Sequence, residues 1–161
     1  FYQTRIKITS KVLCHSDVVF QGEELIGQEF YRNLAAHRAC LTTIPSEAFP
    51  YLVGKLWEIM SVGCLLMACL GSKKQVFENM GFSDGIHYIS VTESNIGEKI
   101  AWVLDPQNKS MIDTIRKTGY DLVQSNHLPE HRVTSLTGIC AELAIPLKPT
   151  LTISDLLELL K

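Results

Sequence analysis

Two short apolar runs, at residues 40–44 and 64–69, most constrain what this chain can fold into. Neither run contains a charged side chain, and both are shorter than an ordinary helix, so each predicts a strand covered on both faces. Residues 52–62, which lie between them, repeat apolar side chains at the spacing of a helix. A strand, a helix and a second strand in this order predict two parallel strands joined by a crossover helix.

The rest of the chain continues this alternation. The pattern predicts strands at 18–20 and 86–91, a turn at 81–85, and helices at 24–38, from 72, at 95–104, at 109–123 and at 130–144. Ser72 with Gln75, and Asn95 with Glu98, have the spacing of helix-capping pairs. We therefore predict an α/β fold, a Rossmann-like and mostly parallel sheet with helices on both faces over residues 1–144, followed by a tail at 145–161 with a short helix. Such sheets bind ligands beyond the carboxyl ends of their strands.

Charge and cysteine content narrow the class of protein. Lys and Arg number 15 against 17 Asp and Glu, so no nucleic-acid binding by bulk electrostatics is expected. The longest nearly apolar run, residues 59–70, is well short of the ~20 residues of a transmembrane helix. The five cysteines are interpreted as small buried side chains, which favours a reducing, cytoplasmic compartment. Because the chain begins at Phe1 without a methionine or a signal-peptide pattern, we expect it to be a piece of a longer protein.

Lys55 and Glu58 are the best candidates for binding chemistry. They are three residues apart and therefore neighbours on one helix face, at the rim of its apolar stripe. Lys55 in the first turn of the helix could neutralise a phosphate, and Glu58 could accept hydrogen bonds from the two vicinal hydroxyls of a ribose. From the spacing alone, a solvated Lys–Glu pair is the favoured interpretation, because such pairs are common on helix surfaces.

The patterns of several other sites are absent from the sequence. It contains no G-x-G-x-x-G and no G-x-x-x-x-G-K-[ST] loop, which argues against a typical dinucleotide or P-loop site. It contains no G-x-S-x-G nucleophile elbow. His127 and His131 are four residues apart, but no further ligands follow at suitable spacing, so no metal site is predicted.

An ordered set of short segments runs through residues 18–143. They are GEEL at 22–25 with FYRNLA at 30–35, KLWEIMSVG at 55–63, FSDGIHYI at 82–89, the segment 96–106 ending in Asp-Pro, GY at 119–120 and HLPEHR at 127–132. In this order they resemble the C-terminal half of a GT-B glycosyltransferase of the broad "glycosyl transferases group 1" type. The resemblance implies that the chain is the nucleotide-sugar-binding half of a transferase.

The resemblance also implies roles for particular residues. Glu58 would hold the ribose of a nucleoside-diphosphate sugar, UDP- or GDP-linked, Lys55 would lie near its diphosphate, and the backbone from Tyr51 to Gly54 would face the donor. The transfer would need no bound metal, because N–H groups and basic residues can stabilise the leaving diphosphate. The acceptor would bind a separate N-terminal domain that this chain lacks, so we expect the isolated chain to be inactive. No catalytic residue is assigned.

The sequence also departs from the family pattern. Many retaining members carry a second glutamate eight positions before the ribose-binding one, where this chain has Pro50; Glu47 is nearby but misplaced. A non-catalytic interaction module that keeps the fold and has lost the sugar site is therefore an alternative. A sugar epimerase or a phosphorylase of the same architecture is a third.

Overall fold

A computed structural model describes residues 3–12, 18, 26–44, 46–48 and 50–143. The chain forms two compact units, residues 1–126 and 127–161. The predicted domain boundary at 144/145 and the predicted C-terminal helix lie outside the described residues, as does most of the predicted strand at 18–20. Val18, the one described residue of that segment, is not in a strand.

The first unit is built on an open, three-stranded parallel sheet. The strands are β1 (Ala39–Thr43), β2 (Leu65–Cys69) and β3 (Ile89–Ser90), in the spatial order β1-β2-β3. Ala39 pairs with Leu65 and Thr43 with Cys69, so β1 and β2 end at the same edge. All five residues of β2 are buried. This confirms the prediction, from the uncharged runs, of an α/β fold with a parallel sheet.

Helices surround this sheet in the first unit. They are α1 (Gln3–Val12), α2 (Gly27–Ala36), α3 (Lys55–Ser61), α4 (Lys74–Asn79), α5 (Ile96–Leu104) and α6 (Lys109–Asn126). Alternate residues of β2, Leu65 and Met67 among them, pack in one core with apolar side chains of α1, α5 and α6. Leu66 and Ala68 point to the opposite face because side chains alternate along a strand, and they are fully buried too. Helix α3 contacts both β1 and β2.

Helix α3 is shorter than the periodicity predicts. It begins at Lys55 rather than at residue 52, and it ends at Ser61, before Gly63 adopts a φ of +70°. Leu56, Ile59 and Met60 are its buried residues, so the predicted apolar face is correct over the turns that form. A left-handed residue after the last turn closes a helix readily when it is glycine, which has no Cβ to clash.

Both predicted capping pairs are wrong, although helices begin close to them. A 3-10 turn at Gly71–Lys73 precedes α4, and no side chain within this segment caps it. Helix α5 does begin after Asn95, but the Asn95 side chain accepts a hydrogen bond from the backbone N–H of Thr92 at 2.7 Å, ahead of the helix. The short polar side chain binds the preceding turn instead, an alternative open to Asn.

The predicted strand at 86–91 is reduced to two residues. Asp84 forms an isolated bridge with Tyr88, and its carboxylate accepts a hydrogen bond from the N–H of Ser90 at 2.8 Å. Gly85 has a φ of +76°, which confirms the predicted turn. The chain therefore reaches the sheet through a tight turn, and strand pairing begins only at Ile89.

The second unit contains one described helix, α7 (Pro129–Glu142), close to the predicted 130–144. Pro129 occupies the first helical position, where its missing N–H costs nothing. The imidazole Nδ1 of His131 accepts a hydrogen bond from the N–H of Leu128 at 3.1 Å. His127 and Arg132 contact each other at 2.6 Å. His131 and His127 therefore have local structural partners at the beginning of α7.

Candidate functional site

The candidate site lies where β1 ends and the chain turns towards α3. The carboxyl ends of β1 and β2 are adjacent, because Thr43 pairs with Cys69. Thr43 is only 4% exposed, and among the described residues its hydroxyl has no hydrogen-bond partner. Residues 50–53, which follow, form no helix or strand and lead into Gly54, the residue that precedes α3. This is the edge of a parallel sheet at which ligands bind in α/β proteins.

Glu58 points back over the first turn of α3. Its Oε1 atom is 3.8 Å from the position that a Cβ on Gly54 would occupy. A helical side chain leans towards the helix N-terminus, which explains this contact over one turn. Glu58 is half-buried, and within the described part of the chain its carboxylate has no hydrogen-bond donor and no ion-pair partner. Glu58 and Gly54, two of the predicted site residues, are thus together.

Lys55 is exposed at the start of α3 and contacts Phe30 rather than Glu58. Its Nζ atom lies 5.1 Å from the centre of the Phe30 ring of α2, within range of a cation–π attraction. Among the described residues Lys55 forms no ion pair with Glu58, so the spacing does not produce the solvated Lys–Glu pair. Tyr51, the remaining predicted site residue, is 55% exposed in the segment that leads to the helix.

Glu47 has a role that the sequence analysis did not assign. Both of its carboxylate oxygens accept a hydrogen bond from the backbone N–H of Ser72, each at 3.3 Å. The carboxylate also occupies the space in which Gly71, at a φ of +46°, would carry a Cβ. Glu47 therefore caps the turn that follows β2 from outside that segment. Burial, together with the nearby charge of Glu47, raises the pKa of the Cys69 thiol at the same edge.

Trp57 is part of an aromatic cluster, although its helical position places it away from the apolar stripe. Its ring meets Phe77 of α4 edge-on at 5.9 Å between centroids, and meets Phe82 in the same way at 6.4 Å. Phe77 and Phe82 stack in parallel at 4.2 Å, and Tyr88 closes the cluster. The indole N–H of Trp57 is buried without a partner among the described residues. The cluster therefore covers the face of α3 that carries Trp57.

His87 and Asp84 have structural roles in the turn before β3. The Nδ1 atom of His87 accepts a hydrogen bond from the N–H of Ser83 at 3.0 Å, and burial lowers the pKa of this imidazole. Asp84 accepts from Ser90 and forms an exposed ion pair of 3.0 Å with Lys74. His87 is half-buried rather than a core histidine.

Cys40 and Cys64, which are 24 residues apart in the sequence, lie together at the amino end of the β1–β2 pair, opposite the end that carries the candidate site. The Sγ atoms of Cys40, in β1, and Cys64, just before β2, are 3.4 Å apart. The thiol of Cys64 donates to Cys40, and it is also close to the carbonyl of His37 at 3.4 Å. Cys64 is fully buried, as the sequence predicts, whereas Cys40 is half-buried.

Three further features of the described residues bear on function. No group of three or more His, Cys, Asp or Glu side chains in the described ranges is arranged to hold a metal ion. Within those same ranges, no helix is both long enough and apolar enough to cross a membrane. An open groove of about 660 Å³ lies along the start of α6 between Pro106 and Lys117, and it is not lined by Lys55 or Glu58.

Comparisons with protein-family models, with curated proteins and with solved structures give no match.

Proposed function

We propose that this chain is the donor-binding part of a GT-B-type glycosyltransferase, which binds a nucleoside-diphosphate sugar through Glu58 and Lys55. The observation that carries the proposal is the Glu58 carboxylate, which is half-buried beside Gly54 and free of partners among the described residues. The Glu58 oxygens are not among the buried atoms that lack a partner, so they stay open to water and are available to the hydroxyls of a ligand. The ordered sequence resemblance over residues 18–143 supports the same function.

The proposed chemistry follows from the residue types. A carboxylate has only acceptor oxygens, so Glu58 can bind both vicinal hydroxyls of a ribose at once. Helix α3 has seven residues, so its dipole is weak and the charge of Lys55 supplies most of the attraction for the diphosphate. Lys55 rests on Phe30 through an exposed cation–π contact worth only ~0.5–1 kcal/mol, which a diphosphate can replace. A cation in this place would stabilise the charge that develops on the departing nucleoside diphosphate.

A non-catalytic interaction module is the second candidate, and Glu47 favours it. Its carboxylate occupies the turn after β2, at the edge where the sugar phosphates of a donor would approach. A fixed negative charge there repels a diphosphate. Pro50 stands where many retaining enzymes have their first glutamate, which points in the same direction.

Calorimetric titration of the chain with UDP, GDP and ADP separates the two candidates. The donor site predicts binding of at least one diphosphate, with a Kd in the ~1 μM–1 mM range usual for enzyme substrates. Glu58→Ala removes hydrogen bonds to a charged acceptor and should weaken that binding at least ~10-fold. Glu78→Ala, at the end of α4, is the matched control and should bind as the unaltered chain does.

The possible results assign the function as follows. Binding that Glu58→Ala weakens and Glu78→Ala does not supports the donor site and identifies the base. Equal binding by all three proteins places the nucleotide elsewhere and overturns the assignment of Glu58. No binding by a chain whose circular dichroism shows it to be folded removes the donor site and favours the interaction module.

A further inference from the structure

Cys40 and Cys64 are placed to form a disulfide bond. Their sulfur atoms, one in β1 and one just before β2, are 3.4 Å apart, and a disulfide requires about 2.05 Å, so the gap to close is about 1.4 Å. Cys64 lies next to Leu65, which pairs with Ala39, the neighbour of Cys40. Cys40 itself pairs with Leu66, two positions beyond Cys64, so the two cysteines are diagonal neighbours, and the bond forms only if the backbone at Cys64, which lies outside β2, moves together with the side chains.

The two thiols differ in the way that an attacking and a resolving cysteine differ. The hydrogen bond from Cys64, and then the positive charge of Lys55, lower the pKa of Cys40 against the opposing effect of burial. Donating that hydrogen bond, together with burial, raises the pKa of Cys64. Cys40 is the half-buried member and Cys64 the fully buried one. The thiolate is the reactive form of cysteine, so an oxidant reaches Cys40 first.

We propose that Cys40 and Cys64 form a reversible disulfide when the chain meets a low-molecular-weight disulfide of the glutathione class. The Cys40 thiolate attacks one sulfur of the small disulfide, forming a mixed disulfide and releasing one thiolate. Cys64 gives up its proton and attacks the Cys40 sulfur, which releases the second thiolate. Two protein thiols are oxidised to one disulfide, the small disulfide is reduced to two thiols, and the two protons end on those thiols.

The cross-link would close the part of the chain that carries the candidate site. Cys40 and Cys64 are 24 positions apart, and Glu47, Lys55 and Glu58 all lie between them. Closing a loop of this length restricts the unfolded chain, so oxidation should raise the unfolding temperature by about 5–10 °C. The disulfide proposal does not rest on the nucleotide proposal, because it needs only the proximity of the two sulfur atoms, which lie at the amino end of the β1–β2 pair.

Disulfide mapping tests the proposal directly. The folded chain is equilibrated with oxidised and reduced glutathione, alkylated, digested with trypsin and analysed by mass spectrometry. Cys40 falls in the tryptic fragment 39–55, whereas Cys64 shares the fragment 56–73 with Cys69. The expected product joins these two fragments; Cys69→Ala retains it, Cys64→Ala loses it, and dithiothreitol reverses both the bond and the rise in unfolding temperature.

One further control uses the unaltered chain, and the Cys64→Ala and Cys69→Ala variants identify which cysteine of fragment 56–73 is linked. The unaltered chain is oxidised in parallel in concentrated urea, where the proximity of the two sulfurs is lost. A fragment 39–55 to 56–73 link that forms in higher yield in the folded chain supports the proposal. A yield no higher than in urea, a predominant link to Cys14, Cys69 or Cys140, glutathione adducts alone, or thiols that stay reduced would each overturn it.

Discussion

Gly119 is the position at which one added methyl group should cost the most. It is buried in α6, and a Cβ there would lie 2.5 Å from the backbone carbonyl oxygen of His87. Ordinary contact begins about 0.9 Å farther out, and the obstacle is backbone rather than a flexible side chain. Two hydrogen bonds hold the turn that carries His87 and oppose its movement away from α6. The Thr118 hydroxyl donates to the carbonyl of Ile86, and the Ser83 N–H donates to the His87 ring.

The magnitude for Gly119→Ala comes from two opposing effects. Overpacking a core position costs ~1–3 kcal/mol. Replacing a glycine inside a helix by alanine stabilises the folded chain by up to ~1 kcal/mol, because alanine has the higher helix propensity. We therefore expect a net loss of about 1–2 kcal/mol in the free energy of unfolding.

Urea unfolding followed by circular dichroism measures this loss. Gly97→Ala in α5 is the matched control, because a Cβ there meets nothing within 4 Å. That variant should be as stable as the unaltered chain or more stable, by up to ~1 kcal/mol. If Gly119→Ala were stabilised as much as Gly97→Ala, the close packing of α6 against the turn before β3 would be refuted.

Three further predictions concern the turn before β3 and the aromatic cluster. Asp84→Ala should lower the free energy of unfolding in urea by ~1–2 kcal/mol, since the N–H of Ser90 loses its acceptor. Trp57→Phe should change stability by less than ~1 kcal/mol, because the unpaired indole N–H is removed, whereas Trp57→Ala should cost ~3 kcal/mol in the same assay. The folded-state pKa of His87 is lowered, so the unfolded chain takes up its proton first and stability should fall as the pH drops below about 6.5. His87→Gln should reduce that slope in unfolding curves taken between pH 5 and 7, and an unchanged slope would assign the titration to other groups.

The strands and the order of the elements could be predicted because their signals are local. The run at 64–69 contains no charge, and the structure buries all of β2. The run at 40–44 predicts β1 to within one residue at each end, and the predicted end of α5 at residue 104 agrees with the Pro106 ring, which cannot continue the helix. These predictions needed only hydrophobic periodicity and backbone sterics.

One failure, at Ser72, and one contact that the sequence does not show, at Trp57, have a different cause, which is a partner distant in sequence. Ser72 lacks the predicted capping pair because Glu47 reaches it from 25 residues earlier. Trp57 is covered because Phe77 and Phe82 approach it from other segments. No periodicity within a single helix contains that information.

For the candidate site, the sequence by itself determined which side chains share a helical turn. Lys55 and Glu58 are neighbours on α3 by spacing alone. Tertiary structure decided what each one meets: Phe30 for Lys55, and the open space beside Gly54 for Glu58. It also brought Cys40 and Cys64 together, because strand register is a long-range property that sets which residues face each other. The residues within a segment determine whether it forms a helix or a strand, and only the packing of these helices and strands determines which side chains come into contact.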